Sequence, residues 1–243
     1  MASRSRNFGR RDTYRCHTLR ALNSLLFILP MLLLFQVGTA VYGTSLLAPR
    51  DLHNLLKYFG ATAPYLPAVM VILVLMLQHL LHKDPWTLQP KVLAGMFGES
   101  ILWMVPLIAL AHLSGRLVAN QAASGPTGEE YLHRVLQGLG AGIYEEFIFR
   151  LAMISLLLLV FVDLLGLKKE PSAGVAVIVS AIVFSLYHFS AVQVAAFPGW
   201  PWVEFVFRAV AGIYLGGLFV FRGYGIAVGA HAFYNLYVLI SQP

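Results

Sequence analysis

Residues 21–42 read ALNSLLFILPMLLLFQVGTAVY, a stretch without a formal charge that is long enough to cross a bilayer as one α-helix. Uncharged runs also occupy residues 58–82, 171–203 and 223–243. Over the whole chain, 58% of the residues are hydrophobic and 12% are charged, whereas an ordinary soluble domain carries about 25% charged residues. The composition therefore predicts an integral membrane protein.

Hydrophobic runs separated by polar breaks predict an all-α fold, a polytopic transmembrane helix bundle of about seven spanning helices within a range of six to eight. The predicted spans are 21–42, 61–82, 92–113, 131–162, 173–195, 203–221 and 224–241. No internal repeat divides them. We therefore predict a basic arm at 1–20 and a single transmembrane domain at 21–243.

Glycines spaced four residues apart recur in three of these spans. The pairs are Gly138 with Gly142, Gly212 with Gly216, and Gly225 with Gly229. Small residues at this spacing let helix backbones approach closely in membranes. Spans four, six and seven are therefore predicted to form the compact core of the bundle.

Lysine and arginine are distributed unevenly between the two predicted sides of the membrane. Six of the seventeen basic residues stand in the arm, and with a cytoplasmic N-terminus eleven lie on the cytoplasmic side against three opposite. This asymmetry predicts a cytoplasmic N-terminus. It also explains the net charge of +6 without nucleic acid as a partner. Cys16, the only cysteine, excludes an internal disulfide and a Cys-rich zinc site.

The fourth span contains Glu145-Glu146-Phe147-Ile148-Phe149-Arg150, in which each ionisable group costs roughly a few kcal/mol or more at bilayer depth. Glu146 and Arg150 have the i, i+4 spacing and the orientation of a helical ion pair, whereas Glu145 points about 100° away. One interpretation is a structural salt bridge between helices. The second acid favours a catalytic interpretation, because a desolvated carboxylate beside an already satisfied pair suits general-base chemistry.

Two histidines and an asparagine lie within other predicted spans. His188 stands in the uncharged run of 171–203, and His231 and Asn235 share one face of span seven. A structural interpretation exists for each, since such side chains also hydrogen-bond between membrane helices. At about 1.5 Å of rise per residue, however, both histidines and Glu145 are predicted in the middle third of the bilayer. The shared depth favours one common site.

Three other charged residues lie in predicted spans apart from the residues described above, and the sequence says less about their partners. Glu99, in span three, has no predicted partner, and the sequence allows it to be protonated, to extend toward the nearer interface or to contribute to the site. Glu204 and Arg208 are spaced i, i+4 at the start of span six and are predicted to form an end-of-helix ion pair.

At the site residues the sequence resembles the CAAX-protease and bacteriocin-processing (CPBP, Abi) family of intramembrane endopeptidases. That family carries Glu-Glu-x-x-x-Arg, Phe-x-x-x-His and His-x-x-x-Asn in successive transmembrane helices. The matching residues here are Glu145, Glu146 and Arg150 for the first pattern, Phe184 and His188 for the second, and His231 and Asn235 for the third. The resemblance covers about residues 131–240, which we take as the family-like catalytic core.

The residues that follow His188 indicate which branch of the family the chain resembles. The Ras-converting branch usually carries a further His shortly after the second-pattern His, and Phe189-Ser190-Ala191-Val192 stands there in this chain. A bacterial-type member of the family is therefore expected. The resemblance implies a multi-pass protein of the bacterial cytoplasmic membrane whose substrates are membrane-associated proteins or hydrophobic peptides. The sequence indicates no oligomeric state.

The resemblance implies a peptidase of the glutamic type that uses no cofactor. In it Glu145 activates a water molecule together with His188, the oxyanion is held by His231 and Asn235, and the Glu146 ion pair supports the helix. The alternative within enzymes is a metalloprotease with zinc on Glu145, His188 and His231, although the sequence lacks the compact His-Glu-x-x-His signature. The alternatives of another class are a transporter or ion relay, for which inverted repeats are lacking, and a scaffold.

Overall fold

The computed structural model describes residues 13–42, 51, 54, 65–115, 128–189 and 200–241, and the regular secondary structure in these ranges is entirely helical. The helices are α1 (Tyr14–Thr18), α2 (Ala21–Tyr42), α3 (Leu66–His82), α4 (Pro90–Leu113), α5 (Gly128–Leu164), α6 (Lys169–Tyr187), α7 (Trp202–Arg222) and α8 (Tyr224–Ser241). The all-α prediction is confirmed. The first twelve residues of the predicted arm lie outside the described residues.

Each of the seven predicted spans corresponds to one long helix in the described ranges. Five of these helices, α2, α4, α5, α6 and α7, are long and apolar enough to cross a membrane. Helix α3 is apolar but has 17 residues, and α8 has 18 residues with His231 and Asn235 among them. The protein is therefore a polytopic helical bundle, as the hydropathy pattern predicts.

The end of α6 differs from the prediction in a way that matters for His188. The predicted span ran from 173 to 195, with His188 about fifteen residues inside it, but the helix begins at Lys169 and ends at Tyr187. His188 follows directly, and its backbone N–H donates to the carbonyl oxygen of Ser185 at 3.2 Å. The prediction was wrong because apolar residues continue past the helix end, so that hydropathy does not mark it.

Helix α5 changes its hydrogen-bonding pattern directly after the two glutamates. Residues Phe147–Ile154 and Leu159–Leu164 form π-helical turns, separated by the α-helical segment Ser155–Leu158. Wider turns of this kind are rare and often occur at functional sites. They change which residues after Glu146 share a face, relative to the regular helix expected from the sequence.

Two glycines allow helices to cross where larger residues would clash. A Cβ atom on Gly142 of α5 would lie 2.8 Å from the Cβ and 2.9 Å from the Cα of Ala232 in α8. A Cβ atom on Gly212 of α7 would lie 2.9 Å from the Cβ of Ala181 in α6. The predicted close approach is confirmed at both positions. Helix α6, which the glycine pattern did not include, joins α5, α7 and α8 in the packed core.

Contacts near the helix termini define two ends of the bundle. At one end Arg15 of α1 donates to the carbonyl oxygen of Phe221, near the end of α7. At the other, Ser185 donates to the carbonyl oxygen of Phe205 at 2.8 Å, and the Tyr187 hydroxyl donates to Asp51 at 2.7 Å. The 21 residues of α7 separate these ends by about 30 Å. The arm therefore lies at the same end of the bundle as the C-terminal end of α7. That this end faces the cytoplasm stays a prediction.

Candidate active site

The carboxylate of Glu145 lies between the two histidines that the sequence singled out. Its Oε1 is 3.6 Å from Nε2 of His188, and its Oε2 is 3.9 Å from Nε2 of His231. The three residues come from α5, from the residue after α6 and from α8. The Glu145 side chain is 12% exposed, so the carboxylate is largely enclosed and still reachable. The structure therefore brings together the groups predicted to form one site.

The neighbouring acid, Glu146, faces the interior of the bundle. Its Oε2 lies 3.2 Å from Nε of Arg150, and both side chains are fully buried. The predicted i, i+4 ion pair is confirmed. The second oxygen, Oε1, lies 2.8 Å from Nδ1 of His231, a contact that the sequence did not predict. Glu146 thus neutralises a buried guanidinium and at the same time orients a site histidine.

Arg150 links three helices at the back of the site. Its guanidinium carbon lies 4.3 Å from the centre of the Phe184 ring, and Nη2 lies 3.4 Å from the carbonyl oxygen of Gly212. Phe184 therefore has a function that its place in the sequence pattern does not reveal, because the face of an aromatic ring attracts a cation. These contacts fix α6 and α7 against α5.

Hydrogen bonds set the tautomers of both histidines. Nδ1 of His188 lies 2.8 Å from the carbonyl oxygen of Phe184, which can only accept, so Nδ1 carries a hydrogen. With Glu146 ionised against Arg150, Nδ1 of His231 likewise donates to a carboxylate. Each neutral imidazole therefore directs an Nε2 lone pair toward Glu145. An Nε2–H donor arises only when the ring is doubly protonated.

Asn235 lies one helical turn after His231 in α8. Its Nδ2 donates to the carbonyl oxygen of Gly138 in α5 at 3.2 Å. This bond uses one of the two amide hydrogens and leaves the second for another acceptor. The amide is thus held in place from the α5 side.

A cavity of about 390 Å³ opens beside these groups. Glu145, His188, His231 and Asn235 line it together with apolar side chains such as Phe207. A site of this kind combines an apolar pocket with a few convergent polar groups, which is typical of sites that bind small molecules or peptide segments. The cavity is where a substrate group would meet the Glu145 carboxylate.

Residues 127–237 match the family model described as type II CAAX prenyl endopeptidase Rce1-like. The matched segment is a little under half of the 243 residues and contains every residue of the site described above. Over these residues the chain is similar to the CAAX-protease (CPBP) family. No curated protein and no solved structure matches it.

This match and the apolar helices indicate a membrane-embedded protease of the hydrolase class and, by implication, a membrane-associated protein substrate. The match favours the enzymatic interpretation over a transporter, an ion relay or a scaffold. Bacterial-type membership stays a prediction, as does the division into an arm and one domain. Among the described residues, no group of three or more His, Cys, Asp and Glu side chains has the arrangement of a metal site.

Arg208 lines the same cavity, and the sequence analysis did not place it in the site. It was predicted to pair with Glu204, but none of the ion pairs found between described residues joins these two side chains. Instead the guanidinium carbon of Arg208 lies 4.9 Å from the centre of the Phe189 ring, and the side chain lines the cavity. The signal available in the sequence was its depth, several residues inside a predicted span.

Glu99, which the sequence left without a partner, lies in a separate polar cluster. Its carboxylate accepts hydrogen bonds from Arg222 at 2.7 Å, Trp103 at 2.8 Å and Tyr14 at 2.8 Å. Burial and the Glu99 carboxylate raise the pKa of Tyr14, so its hydroxyl remains a donor. Glu99 is therefore paired with Arg222 near the arm end of the bundle. The sequence analysis considered protonation, extension toward the interface or a place in the site, and did not predict this ion pair.

Proposed function

We propose that this protein is a member of the CAAX-protease family and an intramembrane endopeptidase in which Glu145 activates the attacking water. The observation that supports the proposal is the position of the Glu145 carboxylate, beside a cavity and within 4 Å of both imidazole Nε2 atoms. A single water can hydrogen-bond to Glu145 and to His188 at once, because the two acceptor atoms are 3.6 Å apart.

The proposed reaction needs no group beyond these side chains and water. Glu145 removes a proton from the water as its oxygen bonds to the substrate carbonyl carbon, and His188 orients the water through Nε2. The same proton is then delivered to the departing amine as the C–N bond breaks. The products are a carboxylic acid and an amine, and the Glu145 carboxylate is regenerated.

Asn235 and His231 are the proposed oxyanion donors. Asn235 offers the amide hydrogen that Gly138 does not accept, and its carbonyl contact fixes the direction of that hydrogen. His231 offers Nε2–H in its doubly protonated form, because its Nδ1 hydrogen is committed to Glu146. Donors fixed in advance stabilise the developing negative charge more than mobile solvent does.

The proposed substrates are membrane-associated proteins or hydrophobic peptides. The long apolar helices place the cavity within a lipid-embedded bundle, and apolar side chains make up much of its lining. We further propose a multi-pass protein of the bacterial cytoplasmic membrane with a cytoplasmic N-terminus. The basic arm and the unequal distribution of lysine and arginine support that orientation.

A proteomic comparison of membranes tests the proposal. Membranes containing the wild-type protein should accumulate cleaved species that are absent with Glu145→Gln, which removes the base and keeps the shape. The matched control is Glu129→Gln, an exposed acid at the start of the same helix, which should give the wild-type pattern. Identical cleavage products from wild-type and Glu145→Gln proteins would refute the general-base assignment.

A zinc-dependent peptidase that uses Glu145, His188 and His231 is the second candidate. The tautomers favour it, since both Nε2 lone pairs face the carboxylate. Tetrahedral ligands of zinc lie about 3.4 Å apart, so the 3.6 Å and 3.9 Å separations here would have to shorten before these side chains could hold the ion. Zinc would supply Lewis-acid polarisation of the substrate carbonyl. Glu146 would then support the His231 ligand, as carboxylates do at other zinc sites.

A further inference from the structure

His188 lies directly after the end of helix α6, where regular helical hydrogen bonding stops. The helix ends at Tyr187, and the His188 N–H donates to the carbonyl oxygen of Ser185, three residues earlier, at 3.2 Å. The ring Nδ1 of His188 lies 2.8 Å from the carbonyl oxygen of Phe184. The last turn of a helix lacks part of its backbone hydrogen bonds and frays readily. The place of the imidazole therefore depends on contacts that other elements make with this turn.

The ring of Tyr187 joins the last turn of α6 to α5. It packs edge-on against Phe149 with the ring centres 5.3 Å apart, and its centre lies 6.0 Å from that of the His188 ring. Phe149 is four residues after Glu145 in α5 and lies in the π-helical turn Phe147–Ile154. Edge-to-face aromatic pairs at such distances are stabilising. The Tyr187 ring thus sets how the His188 turn lies against the helix that carries Glu145.

Asp51 holds the hydroxyl end of Tyr187. This hydroxyl donates to Oδ2 of Asp51 at 2.7 Å, although the two residues are 136 positions apart in the chain. Asp51 lies between α2 and α3, so the bond joins another part of the chain to the catalytic end of α6. A hydroxyl and a carboxylate form a short, charge-assisted bond. Neither residue is among the described residues that line the cavity, so the bond acts on the geometry of the site.

We infer that Asp51 is a positioning residue for the reaction: by holding Tyr187 it fixes His188 where one water can bind to both His188 and Glu145. This inference rests on the proposed function. The two acceptor atoms, Nε2 of His188 and Oε1 of Glu145, are 3.6 Å apart. A displacement of about 1 Å at such a site can cost roughly 10²-fold in rate. Asp51 thereby contributes to turnover without touching the substrate.

The kinetic test uses the full-length protein in phosphatidylcholine vesicles and a fluorescent farnesylated peptide that ends in Cys-Val-Ile-Ala, a CAAX sequence of the kind named by the matched family. Asp51→Ala and Tyr187→Phe remove the same hydrogen bond, and the second keeps the ring. Each should lower kcat roughly tenfold and leave KM within about twofold of the wild-type value. The double variant should be no slower than the slower single variant, because the two changes remove one shared interaction.

Two kinds of control accompany these variants. Asp51→Asn keeps an oxygen that accepts the Tyr187 hydroxyl hydrogen and should restore most of kcat. Glu129→Ala and Tyr131→Phe change an exposed acid and an exposed tyrosine at the start of α5, and both should have the wild-type kcat. A merely structural loss would lower the unfolding midpoint and would not be rescued by the amide.

Backbone hydrogen exchange, followed by mass spectrometry of peptides that cover residues 184–189, gives a readout that does not depend on turnover. Exchange there should be roughly tenfold faster in Asp51→Ala and Tyr187→Phe than in the wild type, and Asp51→Asn should exchange like the wild type. Unchanged exchange or unchanged kcat in Asp51→Ala, or an equal loss of kcat in Asp51→Asn, would overturn the inference. Turnover by the wild-type protein that is no faster than by Glu145→Gln would instead count against the proposed function, while the exchange rates still decide whether Asp51 holds the His188 turn.

Discussion

At the scale of single residues, Glu145 and Glu146 are adjacent in sequence and have different surroundings. Glu145 faces the cavity with both histidines nearby, whereas Glu146 is fully buried against Arg150 and His231. The difference follows from helix geometry, since consecutive residues point about 100° apart. Glu145 is therefore accessible to substrate and water, whereas Glu146 compensates the buried charge of Arg150 and contacts His231.

The metal-free and zinc mechanisms assign different roles to His231 and Asn235. If the site is metal-free, His231→Ala and Asn235→Ala should each lower turnover by roughly 10²–10³, because each removes one oxyanion donor. Purified protein should contain well under one zinc per chain by elemental analysis. Extended chelation should leave activity unchanged.

A zinc enzyme would give another pattern in the same measurements. Metal would copurify at about one per chain, His231→Ala would lose it, and Asn235→Ala would retain it. Zinc whose removal and return switch activity off and on would overturn the metal-free mechanism and leave the protease assignment in place. The exposed Lys169→Ala variant is the control for nonspecific loss of metal during purification.

Arg150 should be essential for stability as well as for activity. Arg150→Ala leaves the Glu146 carboxylate buried without its cation and also removes the contact with the Phe184 ring. Breaking a buried ion pair in this way costs about 3–5 kcal/mol. We expect a clearly lower thermal unfolding midpoint in detergent, measured by intrinsic fluorescence. A midpoint equal to that of Lys169→Ala would show that the pair contributes little to stability.

At the scale of helices, the sequence predicted more of the fold than of the local geometry. Hydropathy found every long helix among the described residues, because each must present an apolar surface to lipid and neighbours. It did not find the π turns after Glu146 or the end of α6 at Tyr187, because the hydropathy of a residue does not specify its backbone hydrogen bond. Arg208 was misassigned because i, i+4 spacing permits an ion pair with Glu204 and does not require one.

The crossing of α5 and α8 at Gly142 should be sensitive to a single methyl group. Gly142→Ala places a Cβ about 2.8–2.9 Å from Ala232, which directly follows His231. Overpacking typically costs about 1–3 kcal/mol, so we expect a lower unfolding midpoint. Displacement of α8 should also reduce kcat by moving His231 away from Glu145.

Gly174→Ala in α6 is the matched control, since nothing lies within 4 Å of the added Cβ. Alanine also favours the helix more than glycine does, so this variant should be as stable as the wild type or more stable. Equal midpoints and equal kcat for the two alanine variants would mean that α5 and α8 separate easily at the crossing.

At the scale of the whole molecule, the polar cluster around Glu99 joins the arm to the bundle. Tyr14 comes from α1, Trp103 from α4 with Glu99, and Arg222 from the end of α7. The cluster lies at the arm end, whereas His188 follows α6 at the Phe205 end. Stability and catalysis should therefore be separable by mutations at the two ends.

Glu99→Gln tests that separation. The amide keeps the shape and loses the charge that Arg222 pairs with, so charge-assisted hydrogen bonds worth about 1.5–3 kcal/mol are weakened. We expect a lower unfolding midpoint and, well below that midpoint, a kcat/KM equal to the wild-type value. Tyr14→Phe, which removes one donor to the same carboxylate, should shift the midpoint in the same direction by less, and the exposed Asp163→Asn should not shift it. An unchanged unfolding midpoint for Glu99→Gln would show that this cluster does not hold the arm to the bundle. A large loss of kcat/KM in the folded variant would show that the arm end and the catalytic cavity are coupled.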